Sequence, residues 1–162
     1  MLRHLQSLFL PEAIVLFPQT CSLTDMKTPA ENERIVSESD LAQLKACINL
    51  PTATPQQRAM VETIEATALL VAPDQIPPDV VTMNTMIECA AHDSADTHRW
   101  TLVYPDKADY RMGHLSALSP AGISLLGARC GQTVVCRPPS GVQIRYVIKA
   151  ILLQPESRHF AQ

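Results

Sequence analysis

Glycine is scarce in this chain, five in 162 residues, and none stands in the G-x-G-x-x-G or P-loop spacing that cradles phosphate. Aromatic residues are also few, at three Phe, three Tyr and one Trp, which leaves little to line an aromatic cleft. No G-x-S-x-G elbow is present, so the serines, histidines and aspartates do not assemble a recognisable hydrolytic motif. The five cysteines form no C-x-x-C pair, and their odd number fits free cytosolic thiols better than a disulfide framework. The apolar run Leu8 to Phe17 is broken by Pro11 and Glu12, is too short to span a bilayer, and has no small-x-small cleavage site after it.

An excess of basic charge is missing as well. The net charge is −3. Residues 1–25 hold one basic and two acidic residues, residues 26–76 four and seven, and residues 77–162 eight and seven. No segment has the basic surplus that a direct grip on nucleic-acid phosphates requires.

What is present falls into three parts. Residues 1–33 read as an N-terminal extension, expected to be poorly ordered, with Met26 opening an ordinary polar start that marks residues 1–25 as dispensable. Residues 34–76 read as a short helical hairpin. Ser37 and Asp40 have capping-box spacing, and Leu41, Leu44 and Ile48 recur at helical spacing before Asn49-Leu50-Pro51. Thr54-Pro55 starts a second helix, predicted to run to about Ala72 with Val61, Ile64, Ala68 and Val71 on one face.

Residues 77–162 read as an α+β domain, with Pro77-Pro78 as its boundary, and are expected to fold without the hairpin. Strands are predicted over Val80–Ile87, Arg99–Tyr104, His114–Leu118, Thr133–Arg137 and Ile144–Leu153, forming a curved antiparallel sheet. One short helix interrupts them. Ser119 is its N-cap, Pro120 its first residue, and Gly127 its left-handed stop.

Two further stretches hold residue types that could carry chemistry. Cys89, His92 and His98, with Asp93 and Asp96, are legitimate metal ligands, but they crowd one stretch without a paired spacing and read as a polar hairpin loop. No metal, other cofactor or catalytic residue is therefore expected. The hairpin tip, Asn49 to Thr54, holds no carboxylate. Asp40 and Glu62 each lie more than about 10 Å back along their helices, at about 1.5 Å per residue. The hairpin thus has no acidic pair at its end to carry Mg²⁺ into another enzyme's active site.

The ordered set "PPDVVTMNTMIE", "TLVYP", "LSALSPAGISLLGARCGQTV" and "LLQPE" resembles the bacterial GreA/GreB transcription elongation factor family, over about residues 34 to 156. The resemblance implies an FKBP-like domain whose half-barrel sheet wraps the short helix. It also implies a cytoplasmic, non-enzymatic partner of RNA polymerase that docks at the rim of the secondary channel and modulates elongation. The implied docking segment is Ser119 and Pro120, preceded here by Leu118 where the family carries Asn or Asp. Asp106 and Asp109, in "PDKADY", match an acidic segment of the family domain and are added to the docking surface. The alternative that the FKBP-like fold offers is a peptide binder or prolyl isomerase, for which Trp100, Tyr104, Tyr110 and Tyr146 are the available aromatics. Trp100 and Tyr104 are expected to be core residues.

Overall fold

The computed structural model describes residues 33–156. All but the last residue of the expected extension, with the reading of Met26 as a start, lies outside the described residues. The described residues belong to one compact unit.

The unit begins with a three-residue strand, β1 (Ile35–Ser37), which leads directly into α1 (Glu38–Ile48). The Ser37 hydroxyl caps α1 by accepting the Asp40 N–H at 3.0 Å. Leu41, Leu44 and Ile48 are buried, one helical face turned inward. After the loop, α2 (Pro55–Thr67) starts with a complete capping box. Thr54 Oγ1 accepts from Gln57 N, and Gln57 Oε1 accepts from Thr54 N. The Gln57 half of the box is an addition to the Thr54-Pro55 signal.

The second helix is shorter than predicted. It stops at Thr67, and Leu69–Val71 forms β2, paired in parallel with β1 in the register Ile35↔Leu69 to Ser37↔Val71. Two features favour this ending. Thr63 and Thr67 turn their hydroxyls back onto the carbonyls of Ala59 and Thr63, a bonding pattern that weakens helices. The extended backbone then finds a ladder partner in β1, with Leu69 N–H donating to Arg34 C=O at 2.8 Å.

Five further strands follow: β3 (Met86–Ala91), β4 (Thr97–Val103), β5 (His114–Ser116), β6 (Thr133–Cys136) and β7 (Ile144–Leu153). The helix α3 (Pro120–Leu125) lies between β5 and β6 in sequence. The sheet order is β5-β4-β3-β7-β6. Register shifts between β3 and β7 at Met86/Ile87 and Glu88/Cys89 supply the local kinks that curl a sheet.

The sheet is mixed rather than antiparallel as expected. β5 pairs in parallel with β4, from Thr101↔His114 to Val103↔Ser116. The intervening chain folds into two short 3-10 turns, Pro105–Lys107 and Tyr110–Met112, long enough together to carry it back to run alongside β4. The first predicted strand also starts later. Val80 to Thr85 form an irregular stretch, buried but for Asn84, in which Thr82 N–H donates to Thr85 Oγ1 at 3.0 Å and Asn84 adopts φ 62°. Asn tolerates that conformation better than other side-chain-bearing residues.

One hydrophobic cluster joins the hairpin to the sheet. Leu44 and Val61 of the hairpin are as fully buried as Ile87, Leu102, Leu125 and Ile148. Pro77 therefore separates two sets of elements that share a core.

Candidate functional site

The segment entering α3 is built as its local sequence indicates. Ser119 is extended, its hydroxyl accepts the Gly122 N–H at 3.0 Å and donates to Ser116 C=O at 2.6 Å, and Pro120 occupies the first helical position. Both hydrogen-bonding capacities of Ser119 are thereby engaged in shaping the turn. Ser119 and Pro120 are half-buried.

Gly122 explains why α3 sits so close to β5: a Cβ there would collide with the carbonyl of Ser116. Gly127 follows the helix at φ 80°, as its role of left-handed stop requires.

Leu118 differs from its two neighbours. It is 5% exposed and belongs to the shared core. It offers a partner only its edge, in the floor of a groove, and does not project as a contact side chain. That groove, of about 780 Å³, runs between the hairpin and the loop after β4. Asp40, Cys47, Leu50, Tyr104 and Asp106 line it together with Leu118.

Asp106 and Leu118 are thus brought together, Asp106 exposed on the first 3-10 turn. Asp109 stands apart from the groove lining. Its carboxylate accepts the Arg111 N–H at 3.0 Å, and its backbone exchanges two bonds with His114. It shapes the loop that presents exposed Tyr110 and Met112.

Asp40 does more than its cap spacing suggests. It is 8% exposed, and its carboxyl meets the Ser37 side chain of the cap but also reaches well beyond it. It accepts the Tyr104 hydroxyl at 3.1 Å and, at a longer 3.4 Å, the Met83 N–H. Burial outweighs these bonds and raises the Asp40 pKa above the ordinary carboxylate range. Tyr104 is likewise pushed up, by burial first and then by the neighbouring Asp40 carboxylate. The pair rivets α1 to the turn before β3 and to the end of β4. Cap spacing at Ser37 and Asp40 pointed to a local role, so the long-range bonds of Asp40 were not legible.

The hairpin tip has the composition read from sequence. Leu50 is 54% exposed there, and Arg58 ties the loop by donating Nε to Ile48 C=O at 3.1 Å. Glu65 pairs across the helices with Lys45.

The other candidates resolve into local structure. Ser94 and Asp96 hydrogen-bond to each other in the β3–β4 hairpin loop. Buried Cys89 has its thiol pKa pushed up to about 11, by burial and then by Glu88. Among the described residues no group of three His, Cys, Asp or Glu side chains is placed to hold a metal. Trp100 stacks on His98 at 4.9 Å and meets Tyr146 edge-on at 5.2 Å, so these aromatics pack on one another at the core's margin. No helix among the described residues is long and apolar enough to cross a membrane.

Comparison with known proteins agrees with this architecture. The family model "Transcription elongation factor, GreA/GreB, C-term" matches residues 76–152. A "Regulator of nucleoside diphosphate kinase" from Escherichia coli is 33% identical over 90 residues, which cover 56% of this chain and 66% of the relative. A "Transcription elongation factor GreA" from Thermotoga petrophila is 37% identical over 79 residues, 49% of this chain and 50% of that factor. The chain thus spans just under two thirds of one relative and half of the other. Among solved structures, the GreA/GreB elongation factor from Nitrosomonas europaea superposes with TM-score 0.60 at 30% identity, covering 75% of this chain and 98% of that one.

Proposed function

This chain belongs to the GreA/GreB transcription elongation factor family, and from that premise we propose that it binds RNA polymerase without stimulating transcript cleavage. It docks at the rim of the secondary channel through its mixed α+β domain, which we read as an FKBP-like scaffold. The hairpin points inward and modulates elongation by occupancy, competing with factors that do cleave.

The observation that carries the reading is the hairpin itself. Its longer helix has 13 residues, or about 20 Å at 1.5 Å per residue. Its tip presents Leu50 and hydroxyl-bearing residues with no carboxylate. An arm meant to seat Mg²⁺ needs oxygen ligands of full negative charge at its end. Asp40, the acidic residue nearest the core, is already committed to Tyr104 and Met83. The docking edge is Ser119 and Pro120 with the groove floor at Leu118 beneath, and the exposed acidic loop of Asp106 and Asp109 flanks it. The same family membership makes the cytoplasm its expected location.

The test uses purified full-length protein with RNA polymerase. Labelled protein should bind core polymerase and be displaced by a cleavage-competent Gre factor, and it should leave the cleavage rate of a backtracked complex at its intrinsic value. Stimulated cleavage overturns the non-cleaving reading. Absence of binding, with nucleoside diphosphate kinase recovered from lysate in place of polymerase subunits, overturns the docking reading. Isomerisation of a proline peptide above background would favour the FKBP-like catalyst instead.

A further inference from the structure

On the α2 side of the hairpin lies a different groove, of about 450 Å³, between α2, the end of α3 and strand β6. That volume is within the range of small-ligand sites, about 300–1,000 Å³. Its lining includes two arginines, Arg34 and Arg137, and no aspartate or glutamate. Met60, Ile64 and Ile123 supply an apolar floor.

Arg34 is an unusual occupant. It sits just before β1, half-buried, and donates one bond from its guanidinium, to Ile123 C=O at 2.6 Å. None of the three ion pairs among the described residues includes it or Arg137. A guanidinium has five N–H donors in a fixed fork, so most of its capacity remains available. Burial pulls the Arg34 pKa down, with no carboxylate offsetting it. Buried charges are ordinarily paired. Glu62 and Glu65 do not compensate it, because helical periodicity sets them on the face of α2 away from Met60, Thr63, Ile64 and Thr67.

Thr63, Thr67 and Ser124 donate their hydroxyl protons to backbone carbonyls and so give the groove no donor; its donors come from other side chains. Gln132 accepts the Arg129 N–H through its oxygen, which leaves its amide N–H₂ as a donor. The donors that remain are two guanidinium forks, the Gln132 amide and the Thr133 hydroxyl, above an apolar floor. Planar forks match the oxygens of phosphate bidentately.

We propose that this groove binds a small organic phosphate, its charged end held between Arg34 and Arg137 and its uncharged part lying over Met60, Ile64 and Ile123. The ligand would bridge the hairpin and the sheet, and the site does not depend on polymerase binding.

The test is isothermal titration of the full chain with adenosine diphosphate, inorganic pyrophosphate and succinate, with thermal unfolding measured alongside. Both phosphates should bind, adenosine diphosphate more tightly because it covers the floor. Arg137→Gln, a change at an exposed position, should keep the melting temperature of the free protein and weaken both by about tenfold, the scale of one lost charge-assisted contact. Arg34→Lys retains the charge and removes the fork, and should weaken them too. Absence of heat up to about 5 mM phosphate ligand, beyond the weak end of specific affinity, overturns the proposal. So does unaltered affinity in a folded Arg137→Gln variant, or tighter binding of succinate than of pyrophosphate.

Discussion

Replacing Gly127 by alanine tests how the hairpin is anchored, provided that Gly131→Ala is measured beside it. Both glycines have left-handed backbones, at φ 80° and φ 89°. A side chain in that conformation costs about 1–2 kcal/mol. Both changes also remove backbone freedom from the unfolded chain, worth about 0.4–1 kcal/mol in the opposite direction. These two contributions are nearly the same at the two positions and cancel in the comparison. The surroundings differ. A Cβ on Gly131 would meet nothing within 4 Å. A Cβ on Gly127 would lie 3.0 Å from Ile35 C=O, 3.0 Å from Val36 Cγ2 and 3.2 Å from Arg34 Cβ. Strand β1 would have to move away, although its Ile35 N–H is bonded to Gly127 C=O at 3.1 Å. Overpacking of this kind costs about 1–3 kcal/mol. Gly127→Ala should therefore exceed Gly131→Ala by about that amount, read as the difference in unfolding free energy by urea titration with unchanged slope. Equal losses would show that β1 is not wedged against the end of α3.

Leu118→Asp, which restores the polar type that the family resemblance implies, should unfold the domain because it places a charge in the core. Ser119→Ala with Pro120→Ala should leave a folded protein, less stable by about 1–2 kcal/mol, whose polymerase binding is reduced; undiminished binding removes that segment from the docking surface. The folded Asp40 carboxyl has a raised pKa, so the native state holds this proton at pH values where the unfolded chain has released it. Its contribution is then greatest in acid and falls as pH rises through the folded pKa. Wild type should accordingly gain stability relative to Asp40→Asn as pH is lowered from 7 towards 4, and the opposite trend in paired denaturant titrations rejects the assignment. Residues 77–162 read from sequence as able to fold alone, but such a fragment lacks Leu44, Val61 and Ile64 from the shared core; it should instead bind a hydrophobic dye and melt without cooperativity, and a sharp transition would uphold the sequence reading.

Elements fixed by neighbouring residues were legible in the sequence. Ser119, Pro120 and Gly127 delimit α3 because caps and left-handed stops act within a few bonds. Strand β7 has its predicted limits, Ile144–Leu153, because Gly141 and the prolines before it leave no other start. Contacts between distant residues were not legible. Leu69 to Val71 continue a helical apolar pattern, and only the presence of Ile35 to Ser37 beside them makes them a strand. The sheet read as antiparallel throughout, because nothing local reveals the route of the turns between β4 and β5 that makes this pair parallel. The α2-side groove draws Arg34, Met60, Ile123 and Arg137 from four separate stretches, and only the fold shows that no carboxylate comes with them.

The parallel pairing of β1 with β2 bears on how such a chain diversifies. Ile35 to Ser37 and Leu69 to Val71 hold the two feet of the hairpin side by side, whatever happens at its far end. Matched whole turns added to both helices between Ile48 and Thr54 extend the reach by about 5.4 Å each. They leave the feet, the Asp40 rivet and the sheet untouched. The arm is thus an interchangeable part on a constant mount, and a lineage can refit its tip or its length without re-evolving the body that carries it.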